Sequence, residues 1–148
     1  MNIIVVDDEK LALEGLLTTI QKVLPDAETS GFRCGEDALI YAQGCPPDVA
    51  FLDIEMRGMN GLVLAEQLKT IKPKTNIIFV TGYSEHMGDA FKLLASGYLM
   101  KPVTPQDIME QMENLRYPIG KAANPKRVRA QCFGNFEVFL DGEPVQFA

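Results

Sequence analysis

An α/β fold, with five parallel strands in one open, doubly wound sheet and helices on both faces, is the class this sequence predicts. Three observations carry that reading. Short apolar runs (Ile3–Val6, Val49–Leu52, Asn76–Val80) each stop at a polar residue, as strands buried on both faces do. Between them the apolar residues switch to helical spacing, as at Leu13, Leu16, Leu17 and Ile20. The alternation recurs five times within residues 1–118, and repeated βαβ units imply parallel strands joined by right-handed crossovers.

Taken in order, Ile3–Val6 is the first strand and ends in Asp7-Asp8-Glu9. Residues 10–24 form a helix that stops before Pro25, because the residue preceding a proline is pushed out of helical geometry. Glu28–Phe32 is the second strand. Gly35–Gly44 is a short helix with Ala38, Leu39 and Ala42 inward, and Pro46-Pro47 ends the connection. Val49–Leu52 is the third strand and runs into Asp53. Gly58-Met59-Asn60-Gly61 is a turn, from which Asn60 or Gly61 starts a helix through Leu62, Leu64, Ala65 and Leu68. Asn76–Val80 is the fourth strand, ending in Thr81-Gly82. A weaker helix spans 84–94. Gly97–Met100 is the fifth strand and ends in Lys101-Pro102. Thr104 or a neighbour caps a last helix from Pro105 to about Leu115, with the proline in its first turn.

Composition narrows the functions. The 148 residues are 47% hydrophobic, enough for a solid core. A net charge of −6 excludes a surface that binds nucleic acid in general. The single histidine, His86, excludes most histidine-based metal clusters and reads as a surface residue. Three widely spaced cysteines with no CxxC suggest thiols in a reducing compartment rather than a disulfide frame. The amino terminus enters the first strand directly, without a signal-peptide pattern, and no apolar run reaches membrane-spanning length. The expectation is a soluble, cytoplasmic protein with no membrane partner.

In a parallel sheet, chemistry collects beyond the carboxyl ends of the strands. Those ends offer Asp7 and Asp8, Asp53, Thr81 and Lys101. Taken alone, Asp53 reads equally well as a loop aspartate bonded to its own backbone. Together the set says more. Three converging carboxylates raise one another's pKa unless a cation sits among them, and an oxygen-only ligand set suits magnesium. Lys101 supplies a point charge for an anion, and Thr81 a hydroxyl donor. A carboxylate nucleophile, a cation and donors for surplus oxygens are what phosphoryl transfer to an aspartate requires.

In this arrangement the first 118 residues resemble the receiver domain of bacterial two-component response regulators. The acid pair Asp7-Asp8, then Asp53, Thr81 and Lys101-Pro102, carry the resemblance. It implies the flavodoxin-like (CheY-like) fold with strand order 2-1-3-4-5. It implies that a sensor histidine kinase phosphorylates Asp53. Asp8, Asp53 and the backbone carbonyl of Glu55 would bind magnesium, with Asp7 acting through a water. Lys101 would pair with a phosphoryl oxygen, and Thr81 would move to bond another. Tyr98 matches the switch aromatic, and the Lys101-Pro102 bond is cis in most members. Self-association would use the fourth helix, fifth strand and fifth helix. Two departures stand out: Arg57 where the family commonly has proline, and Gly82 in place of the more usual alanine.

Composition shifts after residue 118. Residues 119–127 read as a linker with a small basic cluster at Lys126, Arg127 and Arg129. Residues 128–148 alternate as strands around an Asp141-Gly142 turn, a C-terminal β-hairpin tail too small to bury its own core. This tail resembles the first strands of the winged-helix domain of antibiotic-regulatory-type transcriptional activators, cut short of its DNA-reading helices. DNA binding would then belong to an output domain beyond this stretch.

Two other classes compete. A receiver-like binding or dimerisation module that takes no phosphate would share the fold but has no need of all five polar site residues. An enzyme of similar shape fits less well. A flavoprotein wants a phosphate-binding loop where Asp7-Asp8-Glu9 stand, and a haloacid-dehalogenase-type phosphatase wants an Asp-x-Asp pattern there.

Overall fold

A computed structural model describes residues 1–82 and 95–119. The helix expected over 84–94, the linker from 120 onward and the expected hairpin strands lie outside the described residues, as do His86 and the basic cluster. Among the described residues there are five strands: β1 (Asn2–Val6), β2 (Glu28–Phe32), β3 (Val49–Leu52), β4 (Asn76–Thr81) and β5 (Gly97–Met100). They form one parallel sheet in the order β2-β1-β3-β4-β5. The described helices are α1 (Lys10–Val23), α2 (Gly35–Gly44), α3 (Gly61–Ile71) and α4 (Pro105–Glu113). The predicted fold class is therefore met, including the strand order.

Strand periodicity distributes the core between two faces. Ile4, Val6, Ala50, Leu52 and Phe79 pack with Ala38 and Ala42 of α2 and Leu64, Ala65 and Leu68 of α3. Ile3 and Val5 alternate to the other face, where α1 buries Leu13, Leu16 and Ile20 and lies against α4. β3 and β4 are buried along their whole length, which is why they read as unbroken apolar runs. β2 stands at the sheet's edge and is only partly covered, which explains its polar Glu28-Thr29-Ser30-Gly31 sequence.

Local signals set the boundaries. Asn60 caps α3, its side-chain oxygen accepting the Val63 N–H at 3.0 Å. Thr104 and Asp107 form a reciprocal capping box at the start of α4, with Pro105 at the helix's first turn. Two ends differ from the sequence reading. β4 extends through Thr81, so this residue belongs to the strand and is fully buried. α4 ends at Glu113, where Asn114 takes over as its cap. Cys34 carries a half-buried free thiol, whereas Cys45 is disulfide-bonded, against the expectation of free thiols throughout.

Candidate functional site

Registry brings the carboxylates together. Val6 of β1 pairs with Leu52 of β3, so the residues that follow them leave the sheet side by side. The Asp53 N–H donates to the Val6 carbonyl at 3.0 Å, and the Asp7 N–H to that of Phe32 at 3.1 Å. Asp7 and Asp53 are almost fully buried, at 2% and 7% exposure. Each spends one oxygen on the turn that follows it. Asp7 Oδ1 accepts the Glu9 N–H at 2.9 Å and Asp53 Oδ1 accepts the Glu55 N–H at 3.2 Å. The modest reading of Asp53 as a loop aspartate bonded to its own backbone thus holds for one oxygen only.

The second oxygens face Lys101. Its ammonium lies 2.9 Å from Asp7 Oδ2 and 3.2 Å from Asp53 Oδ2, bridging the two carboxylates. The bridge depends on β5 lying beside β4 at the same edge, where the Lys101 N–H donates to the Thr81 carbonyl at 3.0 Å. The Lys101-Pro102 peptide is cis. Thr81 and Lys101 are thereby joined through the backbone at the point where the sequence places a hydroxyl donor and a charge. Tyr98 pairs with Phe79 across β4 and β5, half-buried against the core under α2 and α3.

Asp8 is held from another side. Its Oδ2 accepts the Arg57 N–H at 3.0 Å, and the Arg57 guanidinium Nε lies 3.6 Å from the same oxygen. Arg33 donates to the Asp8 backbone carbonyl at 3.2 Å. One oxygen from each of Asp7, Asp8 and Asp53 falls within 4.8 Å of the others. Three converging hard donors fit a divalent cation such as magnesium.

Electrostatics agree with that fit. Burial, and then the neighbouring Asp7 charge, push the Asp53 carboxyl up to about 6, against the pull of the Lys101 charge and of the hydrogen bonds from Lys101 and Glu55. Burial alone would lower Lys101. The Asp7 hydrogen bond and the charges of Asp53 and Asp7 outweigh it, so the ammonium is held more firmly than usual. The site is thus a buried, electron-rich carboxylate with one fixed cation and an excess of negative charge, poised to gain from a second cation.

Some functional positions were not read from the sequence. Gly61, taken as part of a turn and a possible helix start but not as a site residue, opens α3 directly against the site. A β-carbon there would stand 2.3 Å from the Asp53 carbonyl oxygen, and the Gly61 N–H donates to the Ile54 carbonyl at 3.0 Å. A glycine at the first position of the helix after the site loop was the available signal. Arg57 was noted as a departure but not as a partner of Asp8. Met56 and Met59, in the loop after Asp53, are packed against the core, with Met59 lying over Gly35. Beside Lys101 a groove of about 520 Å³ opens between α1 and the segment Lys101–Val103, lined by Leu11, Ala12, Leu16, Val80 and Pro102.

Comparison with known proteins bears on these features. The profile of the response regulator receiver domain matches residues 3–113. The chain is 35% identical over 136 residues to the positive alginate biosynthesis regulatory protein of Pseudomonas aeruginosa, covering 87% of this chain and 50% of that protein. It is 32% identical over 115 residues to the transcriptional regulatory protein YpdB of Escherichia coli, covering 78% and 47% respectively. The crystal structure of the response regulatory domain of MrkE from Klebsiella pneumoniae superposes with a TM-score of 0.70 at 34% identity, covering 78% of this chain and 94% of that one. The chain spans about half the length of the curated relatives it matches.

Proposed function

The chain belongs to the response regulator receiver domain family, and on that premise we propose that Asp53 accepts a phosphoryl group from a sensor histidine kinase and so switches a transcription-regulating output domain. The observation that carries this reading is the Asp53 carboxylate, buried, raised in pKa and bridged to Asp7 by Lys101. An Asp53 oxygen attacks phosphorus, the bond from phosphorus to the donor nitrogen breaks, and that nitrogen keeps the electron pair. Lys101 stands where it can pair with a phosphoryl oxygen once Asp53 carries the phosphoryl group as an acyl phosphate. Asp7, Asp8 and Asp53, with the Glu55 carbonyl, would hold magnesium, whose charge offsets the crowded oxygens. The domain would also lose the phosphoryl group slowly to water, as a switch rather than a turnover enzyme.

Switching is a shift between two pre-existing arrangements. Thr81 turns its hydroxyl to the phosphoryl group and Tyr98 moves inward behind it. Their shared place on β4 and β5 supports that coupling. The repacked face of the helix expected over 84–94, β5 and α4 then promotes homodimerisation. The groove beside Lys101, apolar and open to the site, suits the approach of a kinase helix. The tail from residue 128 opens the winged-helix output domain, and DNA is bound only through the remainder of that domain. The match to the alginate regulator, which covers more of the chain than the receiver domain does, supports continuity into that region.

Intact mass after treatment with a small phosphodonor and magnesium tests the reading, with Asp53→Asn alongside. One base-labile phosphoryl group on the parent alone is expected. Labelling of both, or of neither, refutes it.

A further inference from the structure

The three carboxylates of the site do not share one counter-charge. Lys101 bridges Asp7 and Asp53, whereas Asp8 is met from the loop by Arg57. Two groups of Arg57 face one oxygen, Asp8 Oδ2: the backbone N–H hydrogen-bonds it at 3.0 Å, and the guanidinium Nε forms an ion pair with it at 3.6 Å. The guanidinium is 91% exposed and the Asp8 side chain 21% exposed. An ion pair so open to water is weak and easily exchanged. It is nonetheless aimed at a carboxylate that has a second claimant.

We propose that Arg57 is a latch on Asp8 that competes with the divalent cation for this carboxylate and so sets how tightly the chain holds the ion. The inference rests on the magnesium reading of the site and deepens it. A cation drawing on Asp8 meets a carboxylate that already accepts the Arg57 N–H, and it must approach the positive charge of the Arg57 guanidinium. Both effects weaken binding. A proline at this position would have neither the N–H nor the charge. The latch therefore belongs to Arg57 itself and not to the carboxylate cluster.

Arg33 supplies the control. Its guanidinium bonds the Asp8 backbone carbonyl at 3.2 Å, so it brings the same charge to the same residue through the carbonyl instead of the carboxylate. Magnesium chloride is titrated calorimetrically into the 148-residue chain, Arg57→Ala and Arg33→Ala, with thermal melts confirming that each is folded. Arg57→Ala is expected to tighten magnesium by about 2- to 5-fold, the range an exposed ion pair supports, with a smaller change for Arg33→Ala. An unchanged or weaker affinity for Arg57→Ala overturns the latch. Equal tightening in both variants also overturns it, because a general field would then account for the effect. A parent that binds no magnesium refutes the metal reading itself, an outcome distinct from either.

Discussion

Asn76 grips the backbone of Tyr117 with both ends of its carboxamide. Its Oδ1 accepts the Tyr117 N–H at 2.8 Å, and its Nδ2 donates to the Tyr117 carbonyl at 2.8 Å. The same side chain accepts the Ser96 hydroxyl at 2.8 Å and donates to the Asp48 carbonyl at 3.2 Å. Lys69 lies 4.8 Å over the Tyr117 ring. Tyr117, shortly before the expected linker, is thus fastened to the first residue of β4, at the end of the sheet opposite the site. Asn76→Ala leaves the part-buried N–H and carbonyl of Tyr117 without these partners and should lower stability by about 2–3 kcal/mol. Chemical denaturation would show this, and a loss below 0.5 kcal/mol would mean that water replaces the clamp.

The raised pKa of Asp53 has a direction in pH. The native state keeps this proton up to about pH 6, whereas an unfolded aspartate loses it near 3.8. Between those values the native state binds more protons, so this group's contribution to stability falls as pH rises from about 4 to about 6 and is level above. Asp53→Asn removes that fall and should be more stable than the parent at pH 7 without metal, by on the order of 2 kcal/mol. Melting curves at pH 4, 5, 6 and 7 check the sign. Magnesium should narrow the gap by stabilising the parent alone.

Gly61→Ala should damage the site through the backbone. The new methyl group would collide with the Asp53 carbonyl, so either α3 or the Asp53 peptide must move. A loss of about 1–3 kcal/mol is expected, with phosphoryl uptake falling further than at Gly82→Ala. Among the described residues, a β-carbon added at Gly82 meets nothing within 4 Å. Similar losses at both glycines would rule out the close approach as their cause.

Lys101→Ala should leave the sheet intact, because the side chain is partly exposed and the core does not include it. Its loss puts Asp7 and Asp53 together without their shared cation. The Asp53 carboxyl should then titrate higher, and phosphoryl uptake should slow by about 10- to 100-fold, the equivalent of one or two charge-assisted bonds. Carboxyl chemical shifts followed against pH, together with labelling rates, test both parts. A titration that stays where it is in the parent would refute the bridge's role.

The sequence by itself determined the five strands, the described helices α1 to α4 and the polar residue at each strand end. These are local properties. A run of apolar residues such as Val49–Leu52 must be buried on both faces, and helical spacing such as Leu13, Leu16 and Ile20 must face one way. Because parallel strands end at a common edge, Asp7, Asp53, Thr81 and Lys101 could be gathered from sequence order alone. Tertiary packing decided which oxygen meets which donor. Lys101 and Asp7 are 94 residues apart, Arg57 and Asp8 49, and Tyr117 and Asn76 41. No local pattern encodes such pairings, since they depend on register, on a close approach that only Gly61 permits, and on burial that lifts the pKa of Asp53. Tertiary structure thus makes Asp53 a buried, lysine-bridged carboxylate where the sequence showed a loop aspartate at the end of a strand.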